Sequence, residues 1–384
     1  METKNNIFQE HLSSYLKAEK QAKGGILKHV CFVTSMHRKA AIRKFKALQM
    51  KHPGKPEQRG KALYYTPDVT AALKTIWQAG NEVCGELLHP IISEYVSILK
   101  RDKLWDYAQD ITFKLLSMSM ATVKRRVGHF KKAKKGKKGL SDTKPSYLKH
   151  LVPIFIGPWD RKPPGFGQID TVRHSNSASG DAVYTLNYTD AATLTVIPRA
   201  QFNKGQEATR ASMKQVKEKM PFKWLGAHPD TGSEFINHMI INWCQDENID
   251  YSRSRPSHKN DNMHVEERNG HVIRRTVGYM TLNCGEAGDA LNELYDVLAP
   301  YLLHFVAVRR QISKEKLNSR YKRTYEKVAK TPYRRILEHQ AVERKVKERL
   351  KHQHQLLNPL VLKREIDKRL RKVYDTQKRY GNQN

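Results

Sequence analysis

Residues 221–268 read PFKWLGAHPDTGSEFINHMIINWCQDENIDYSRSRPSHKNDNMHVEER. The apolar run Phe222–Ala227 ends in a polar turn, and in the next segment, Ser233–Asn248, apolar side chains recur at helical spacing. A second apolar segment, Ile249–Ser254, predicts a strand, and the polar loop Arg255–Asn260 leads into another helix. This alternation of strand and helix predicts a sheet that is covered by helices.

The residues before this stretch extend the same pattern. Gly167–Val172, Ala182–Tyr188 and Thr193–Pro198 are rich in β-forming residues, and Gly205–Met220 has the periodicity of an amphipathic helix. The predicted order is therefore β-β-β-α-β-α-β-α. We expect one α/β domain with a mixed sheet over residues 151–310.

Three acidic residues stand out by their positions in these elements. Asp170 lies on the first predicted strand, Asp230 follows the fourth, and Glu266 lies early on a helix. Acids on strands and on a neighbouring helix can meet at one edge of a sheet, where their oxygens suit Mg²⁺ or Mn²⁺. Two such ions could activate a nucleophile and stabilise a leaving oxygen. The alternative is that all three are ordinary surface acids.

The local sequence around each acid resembles the DDE transposases of bacterial insertion sequences, whose catalytic core is of the retroviral-integrase type. Between the first two acids stand 59 residues, and between the last two stand 35, which is the family's characteristic spacing. Thr231 departs from the family, which commonly has Asn after the second acid, and we expect this difference to have a modest effect on activity. The resemblance is carried by GPWDRKPPGFGQIDTV (157–172), HPDTGSEFIN (228–237), SRPSHKNDNMHVEERNGHVIRR (254–275) and TPYRRIL (331–337).

The resemblance implies an RNase H-like core in which Asp170, Asp230 and Glu266 hold two Mg²⁺ or Mn²⁺ ions and catalyse the reaction. Such an enzyme binds the terminal repeats of a mobile element, nicks the ends by hydrolysis and joins the 3′-OH to target DNA. Pairing two ends implies double-stranded DNA as partner and at least a homodimer. The loop before the glutamate helix is expected to contact the DNA backbone, unless it is only a solvated loop; its candidates are Arg253, Arg255, His258, Lys259 and Asn260.

The net charge of +32 is unevenly distributed along the 384 residues. Residues 1–150 carry +18, residues 151–300 carry −2, and residues 301–384 carry +16. Two basic flanks around a neutral centre favour a protein that binds a polyanion such as DNA. Apolar runs are too short for a membrane span and no signal peptide is recognisable, so we expect a cytoplasmic, nucleoid-associated protein without a membrane partner.

Two helix-turn-helix units are predicted before the core. The first has Leu27–Val33 and His37–Leu48 as its helices, and the second has Tyr107–Leu116 and Met120–Phe130. Either could instead be an ordinary helical hairpin. In a helix-turn-helix the start of the second helix enters the major groove. The DNA-binding candidates are then Arg38, Lys39, Arg43 and Lys44 in the first unit and Thr122, Lys124, Arg125 and Arg126 in the second.

The expected domain limits follow from these segments. They are a first helix-turn-helix domain (1–60), a second (61–130), a basic linker (131–150), the catalytic domain (151–310) and a basic helical C-terminal region (311–384). Two alternatives to a transposase stay open. One is a DNA-binding protein that has lost catalysis, and the other is an RNase H-like nuclease without strand transfer.

Overall fold

The computed structural model describes residues 2–50, 64–132, 152–157, 159–175, 181–255, 261–317 and 320–381. The chain divides into two compact units, Met1–Tyr64 and Tyr65–Asn384. Most of the predicted linker, and the predicted contact residues His258, Lys259 and Asn260, lie outside the described residues. All four cysteines are free thiols.

The first unit is helical. Its helices are α1 (Glu2–Glu10), α2 (Leu12–Lys17), α3 (Lys20–Thr34) and α4 (Arg38–Gln49). Phe8 and Phe45 are fully buried and pack edge to face with 4.9 Å between ring centroids, and Tyr15 stacks on Phe45. Ser35 ends α3 in the left-handed conformation, and the side chain of His37 accepts a hydrogen bond from the amide of Lys39 at the start of α4. The turn and α4 lie where the sequence predicts them, whereas α3 begins at Lys20, seven residues before the predicted start.

The second unit begins with five helices. They are α5 (Pro67–Ala79), α6 (Gly85–Leu88), α7 (Ile92–Arg101), α8 (Gln109–Leu116) and α9 (Met120–Lys132). The second predicted helical pair corresponds to α8 and α9. These helices share one hydrophobic core with the long helix α14 (Gly285–Phe305) and with one face of the sheet. The hydroxyl of Tyr95 donates a hydrogen bond to the carbonyl of Phe305, and that of Tyr301 to the carbonyl of Ala79.

The sheet has five strands in the order β3-β2-β1-β4-β5. Strand β1 pairs antiparallel with β2, which pairs antiparallel with β3, whereas β4 is parallel to both β1 and β5. The predicted mixed α/β sheet is thereby confirmed. The strands are β1 (Phe166–His174), β2 (Val183–Asp190), β3 (Val196–Phe202), β4 (Gly226–His228) and β5 (Asp250–Tyr251).

Helices cover both faces of this sheet. Helix α14 packs on β2 and β3 from one side, and α10 (Gln206–Lys219) and α11 (His238–Asp246) enclose a second core on the other. Helix α11 starts five residues later than predicted because the side chain of Asn237 caps it, accepting a hydrogen bond from the amide of Ile240. Asp190, the last residue of β2, accepts hydrogen bonds from the amides of Gly165 and Thr193.

The prediction of a basic, mostly helical C-terminal region is wrong at its start, where the structure has two strands. Strands β6 (Gln311–Leu317) and β7 (Arg320–Tyr325) form an antiparallel hairpin, in which Ile312 and Tyr325 supply β-forming side chains between the charges. Three helices follow, as predicted. The C-terminal helices are α15 (Pro332–Glu338), α16 (Arg344–Leu356) and α17 (Pro359–Tyr380).

The helix that carries Glu266 is α12 (Met263–Arg268). It continues through a π-helical turn (Asn269–Arg274) into α13 (Arg275–Val277).

No helix in the described part of the chain is long and apolar enough to cross a membrane.

Candidate active site

Asp170 and Asp230 come to the same edge of the sheet because β1 and β4 are neighbouring parallel strands. Gln168 on β1 is aligned with His228, the last residue of β4. Asp170 lies two residues beyond Gln168, and Asp230 lies two residues beyond His228. Neighbouring strands are about 4.8 Å apart. The register of β1 and β4 therefore brings Asp170 and Asp230 next to each other at one edge of the sheet.

Gly232 allows two carboxylates to share the turn after β4. Its amide donates a 2.8 Å hydrogen bond to Oδ1 of Asp230. A Cβ atom at this position would lie 2.6 Å from Oε2 of Glu234 and 3.0 Å from Oδ1 of Asp230. A side chain here would therefore displace the ends of both acidic side chains. Glu234, which is only 8% exposed, also accepts a 3.1 Å hydrogen bond from the hydroxyl of Thr171.

Gln168 fixes the start of the helix that carries Glu266. Its side-chain oxygen accepts hydrogen bonds from the amides of His264 (2.9 Å) and Val265 (3.2 Å), in the first turn of α12. Its side-chain nitrogen donates a 2.7 Å bond to the carbonyl of Asp261. A residue of β1 thus does the work of a helix cap, because the first amides of a helix have no partner within it. This cap fixes the helix of Glu266 to the strand of Asp170.

Asn269 joins the same helix directly to Asp170. Its side-chain nitrogen donates a 2.7 Å hydrogen bond to Oδ2 of Asp170, and its oxygen accepts a 2.8 Å bond from Asn187. Asn187 is paired with Asp170 across β1 and β2, so both lie on one face of the sheet. Asn269 is also the first residue of the π-helical turn, a type of distortion that is frequent at functional sites.

The carboxyl groups of this edge interact strongly. Burial, followed by the nearby charge of Asp230, raises the pKa of Asp170 from its ordinary value to about 8. The amide of Thr171 acts against this rise, and the charges of Glu234 and Glu266 add to it. The predicted triad and Glu234 therefore lie within electrostatic reach of one another. Glu266 itself is exposed, and Lys204 lies 3.9 Å from Glu234.

The donor set fits a hard divalent cation in its chemistry. Asp170, Asp230 and Glu266 offer carboxylate oxygens, the ligands that Mg²⁺ prefers. A cation would also offset the repulsion that raises the pKa of Asp170. Within the described ranges, no three His, Cys, Asp or Glu side chains stand close enough together to hold a metal ion as they are placed. The three acids share an edge without forming a closed ligand cage.

The two described residues of the predicted DNA-contact loop are bonded within the protein. Arg253 is 6% exposed, and its Nε donates a 2.9 Å hydrogen bond to the carbonyl of Val152. Arg255 forms a two-pronged ion pair with Asp261, with both bonds at 2.9 Å. These contacts hold the side chains of Arg253 and Arg255 against the protein.

The candidates on the second helices of the two helical pairs differ in exposure. Arg38, Lys39 and Arg43 are exposed on α4, whereas the ammonium of Lys44 lies over the ring of Phe8. On α9, Arg125 is exposed. The other three contact the protein itself: Thr122 bonds to Ser119, Lys124 pairs with Glu86, and Arg126 bonds to Thr70 and Tyr65.

Sequence reasoning missed Gln168, Asn187 and Asn269 as site residues. Amides are common on strands and helices, so their types gave no signal. Their spacing did, however: Gln168 is two residues before Asp170 on one strand face, and Asn269 is three residues after Glu266 on one helix face.

No family model matches the chain. The chain is 32% identical over 305 residues to the protein y4rM of Sinorhizobium fredii, which is described as uncharacterized. The match covers 78% of this chain and 86% of that protein.

The solved structures to which the chain is similar include retroviral integrase catalytic cores. The HTLV-2 integrase catalytic core domain, solved with magnesium in a dimeric form, has 15% identity and a TM-score of 0.30, covering 38% of this chain and 91% of that one. The BIV integrase catalytic core domain has 16% identity and a TM-score of 0.28, covering 36% of this chain and 83% of that one.

Proposed function

The chain belongs to the same protein family as y4rM of Sinorhizobium fredii, and we propose that it is a DDE transposase, a metal-dependent polynucleotidyl transferase. The proposed substrate is double-stranded DNA. The enzyme nicks the ends of a mobile element by hydrolysis and joins each freed 3′-OH to a target phosphodiester. The observation that carries this proposal is the closeness of Asp170, Asp230 and Glu266 at one sheet edge, where burial and then the charges of the neighbouring acids raise the pKa of Asp170 to about 8.

Asp170, Asp230 and Glu266 are the proposed ligands of Mg²⁺ or Mn²⁺. When bound, the cation supplies Lewis-acid activation of the attacking oxygen and neutralises charge on the leaving oxygen. Two ions would allow both roles at once. The chemistry of the three acids supports this assignment, since all of them offer oxygen ligands.

The surrounding residues hold these acids in position. Asn269 binds one oxygen of Asp170, and the amide of Thr171 binds the other at 2.8 Å, so the carboxylate cannot rotate freely. Gln168 sets the position of Glu266 by capping its helix. Such fixed orientation matters because catalysis of in-line phosphoryl transfer is mostly positioning and charge stabilisation.

The DNA grip is proposed to come from the basic flanks. On α4 and α9, the proposed phosphate contacts Arg38, Lys39, Arg43 and Arg125 are exposed. Arg43 also donates a hydrogen bond to the backbone carbonyl of Lys39 in its own helix. For Lys44, Thr122, Lys124, Arg126, Arg253 and Arg255, binding to DNA would require a change of side-chain partner. Since two DNA ends must be paired, a homodimer or larger assembly on DNA is proposed.

The test is nicking and joining of DNA that carries the sequences flanking the gene, with Mg²⁺. Glu266→Gln and its neighbour Glu267→Gln form a matched pair, since both replace an exposed acid on α12. We expect Glu266→Gln and Asp230→Asn to lose nicking and joining by at least about 1,000-fold, the scale of a lost essential catalytic group. Glu267→Gln should stay within about threefold of the wild type.

Each alternative has its own outcome in this assay. Nicking without joining would identify a nuclease. DNA binding by the wild type with neither reaction would identify a binding protein, and activity surviving in Asp230→Asn would refute the assignment of the triad.

A further inference from the structure

Helix α17 has two opposite faces of different chemistry. Ile366 and Val373 are 1% and 0% exposed, and with the partly buried Leu362 and Leu370 they pack into the core that contains α14. At 100° per residue, these four positions fall on one side of the helix. The opposite side is exposed and carries a row of cations, which we call the α17 stripe: Arg364, Lys368, Arg371, Lys378 and Arg379.

The cations beside the stripe have carboxylate partners. Lys363 pairs with Asp367 (2.8 Å), Arg369 with Glu365 (2.7 Å) and Lys372 with Glu293 (2.7 Å). Over the part of the chain that the structure describes, the stripe forms no such ion pair. Arg371 donates a hydrogen bond to the backbone carbonyl of Asp367, and the guanidinium of Arg379 lies over the ring of Tyr380, but neither partner carries a charge.

Asp375 is an exposed acid on the same side, so the face carries five positive charges and one negative charge. The ion pairs at its margins and its own net charge of about +4 distinguish the stripe from a surface of evenly mixed charge.

The length of the stripe matches a nucleic-acid backbone. Arg364 and Lys378 are 14 residues apart on a continuous helix, or about 21 Å at 1.5 Å per residue. Phosphates of one DNA strand follow each other every 3.4 Å along the axis, so about six of them span this distance. A rigid row of cations on this scale can neutralise several phosphates at once.

The stripe is mechanically connected to the helix of Glu266. The hydroxyl of Tyr374 donates a 2.8 Å hydrogen bond to the carbonyl of Val277, the last residue of α13. Gln377 both accepts from the amide of Asn283 (2.9 Å) and donates to its side chain (2.6 Å). DNA held on the stripe would therefore be fixed relative to the segment that follows the glutamate.

We infer that the α17 stripe binds the phosphate backbone of double-stranded DNA without reading its sequence. The choice of DNA among polyanions rests on the proposed function. The geometry and charge of the stripe are independent of that proposal. The stripe is a separate binding surface: it includes none of the acids and none of the residues on α4 or α9.

The test compares two triple variants of the full chain. The stripe variant is Arg364→Gln, Lys368→Gln and Arg371→Gln, and the control is Lys363→Gln, Arg369→Gln and Lys372→Gln. Both remove three positive charges from α17. Binding to a labelled 30-base-pair duplex of arbitrary sequence is followed by fluorescence anisotropy in EDTA between 50 and 300 mM NaCl. Thermal unfolding midpoints equal to the wild type's check that both variants are folded.

We expect the salt dependence of the stripe variant, log K against log[NaCl], to become shallower by about 2.7, since each lost phosphate contact contributes about 0.9. Its affinity at 0.15 M NaCl should fall on the order of 100-fold on the same basis. The control should change its slope by less than about 1. Equal slopes and affinities in the two variants would overturn the inference, as would wild-type binding to phosphatidylserine vesicles in place of the duplex.

The outcome is separable from the proposed function because EDTA prevents any metal-dependent reaction. If the protein nicks and joins DNA but the stripe variant binds like the control, only the inference about the α17 stripe is refuted. If the protein binds DNA through the stripe but neither nicks nor joins it, only the proposed transposase function is refuted.

Discussion

The substitution Asp170→Asn replaces a carboxyl group that the folded chain holds protonated at neutral pH, and it should stabilise the metal-free protein there. The pKa of Asp170 is about 8 in the folded chain, against 3.8 as the ordinary value. Between these values the folded state holds a proton that the unfolded state has released. The contribution of Asp170 to stability is therefore most favourable below pH 3.8 and is lost as the pH rises toward 8.

The size of the effect follows from the same pKa shift. One pKa unit corresponds to 1.36 kcal/mol, so the proton that Asp170 must take up on folding lowers the free energy of unfolding by about 4 kcal/mol at pH 7. Asparagine cannot ionise and avoids this cost. The carboxyl group accepts hydrogen bonds from Asn269 and from the amide of Thr171 with two different oxygens, whereas asparagine has one side-chain oxygen. The lost bond lowers the stabilisation by about 1 kcal/mol. We expect a net stabilisation of about 3 kcal/mol at pH 7 and almost none at pH 4.

The assay is urea unfolding in EDTA at both pH values, followed by tryptophan fluorescence. All five tryptophans lie beyond residue 64, so the signal reports on the unit that contains the site. Asp250→Asn is the control, since Asp250 is an exposed acid on β5 and should change stability by no more than about 0.5 kcal/mol. An effect of Asp170→Asn that is equal at pH 4 and pH 7, within about 1 kcal/mol, would refute the electrostatic account.

Three further predictions concern the same site. Asn269→Ala should lower kcat for DNA nicking about 10- to 100-fold while KM stays within about threefold, because the lost bond to a carboxylate is worth about 1.5–3 kcal/mol; an unchanged kcat in single-turnover measurements would contradict this. Gln168→Ala should lower the free energy of unfolding by about 1–2 kcal/mol in the same urea titration, through loss of the α12 cap, and an unchanged value would contradict this. Mg²⁺ at 100 times its dissociation constant should stabilise the wild type by about 2.7 kcal/mol at pH 7 in calorimetry, and Asp230→Asn should respond by less than about 1 kcal/mol.

The sheet could be predicted from the sequence because its strands and helices have different hydrophobic periods. The apolar runs at Gly167–Val172 and Phe222–Ala227 lie at or next to β1 and β4, and the amphipathic segment Gly205–Met220 became α10. Element limits were less accurate where a side chain sets them, as at α11, which starts at its Asn237 cap. The β6–β7 hairpin was missed because dense positive charge obscures alternation between strand faces.

The acids of the site could be predicted because their spacing is a property of the chain. Their supports could not, since these depend on which elements become neighbours. Whether Asn187 faces Asp170 depends on the pairing of β1 with β2, and whether Gln168 reaches the start of α12 depends on helix packing. The same holds for the basic residues: charge alone placed Arg253 on the DNA, whereas the fold places it 6% exposed against Val152.

The location of the acids imposes an electrostatic requirement on the rest of the chain. Residues 151–300 carry a net charge of −2. At one sheet edge, burial and then the charges of three carboxyl groups raise the pKa of a fourth, that of Asp170, so this edge repels phosphates. Cations on a tether could bring DNA near, but positioning for in-line attack requires a grip that is rigid relative to the acids. Helix α17 meets this requirement, since it packs on α14 and bonds through Tyr374 to the end of α13. Breaking that link with Tyr374→Phe should therefore lower kcat more than it lowers DNA affinity. If affinity fell and kcat did not, the stripe would act only as a tether.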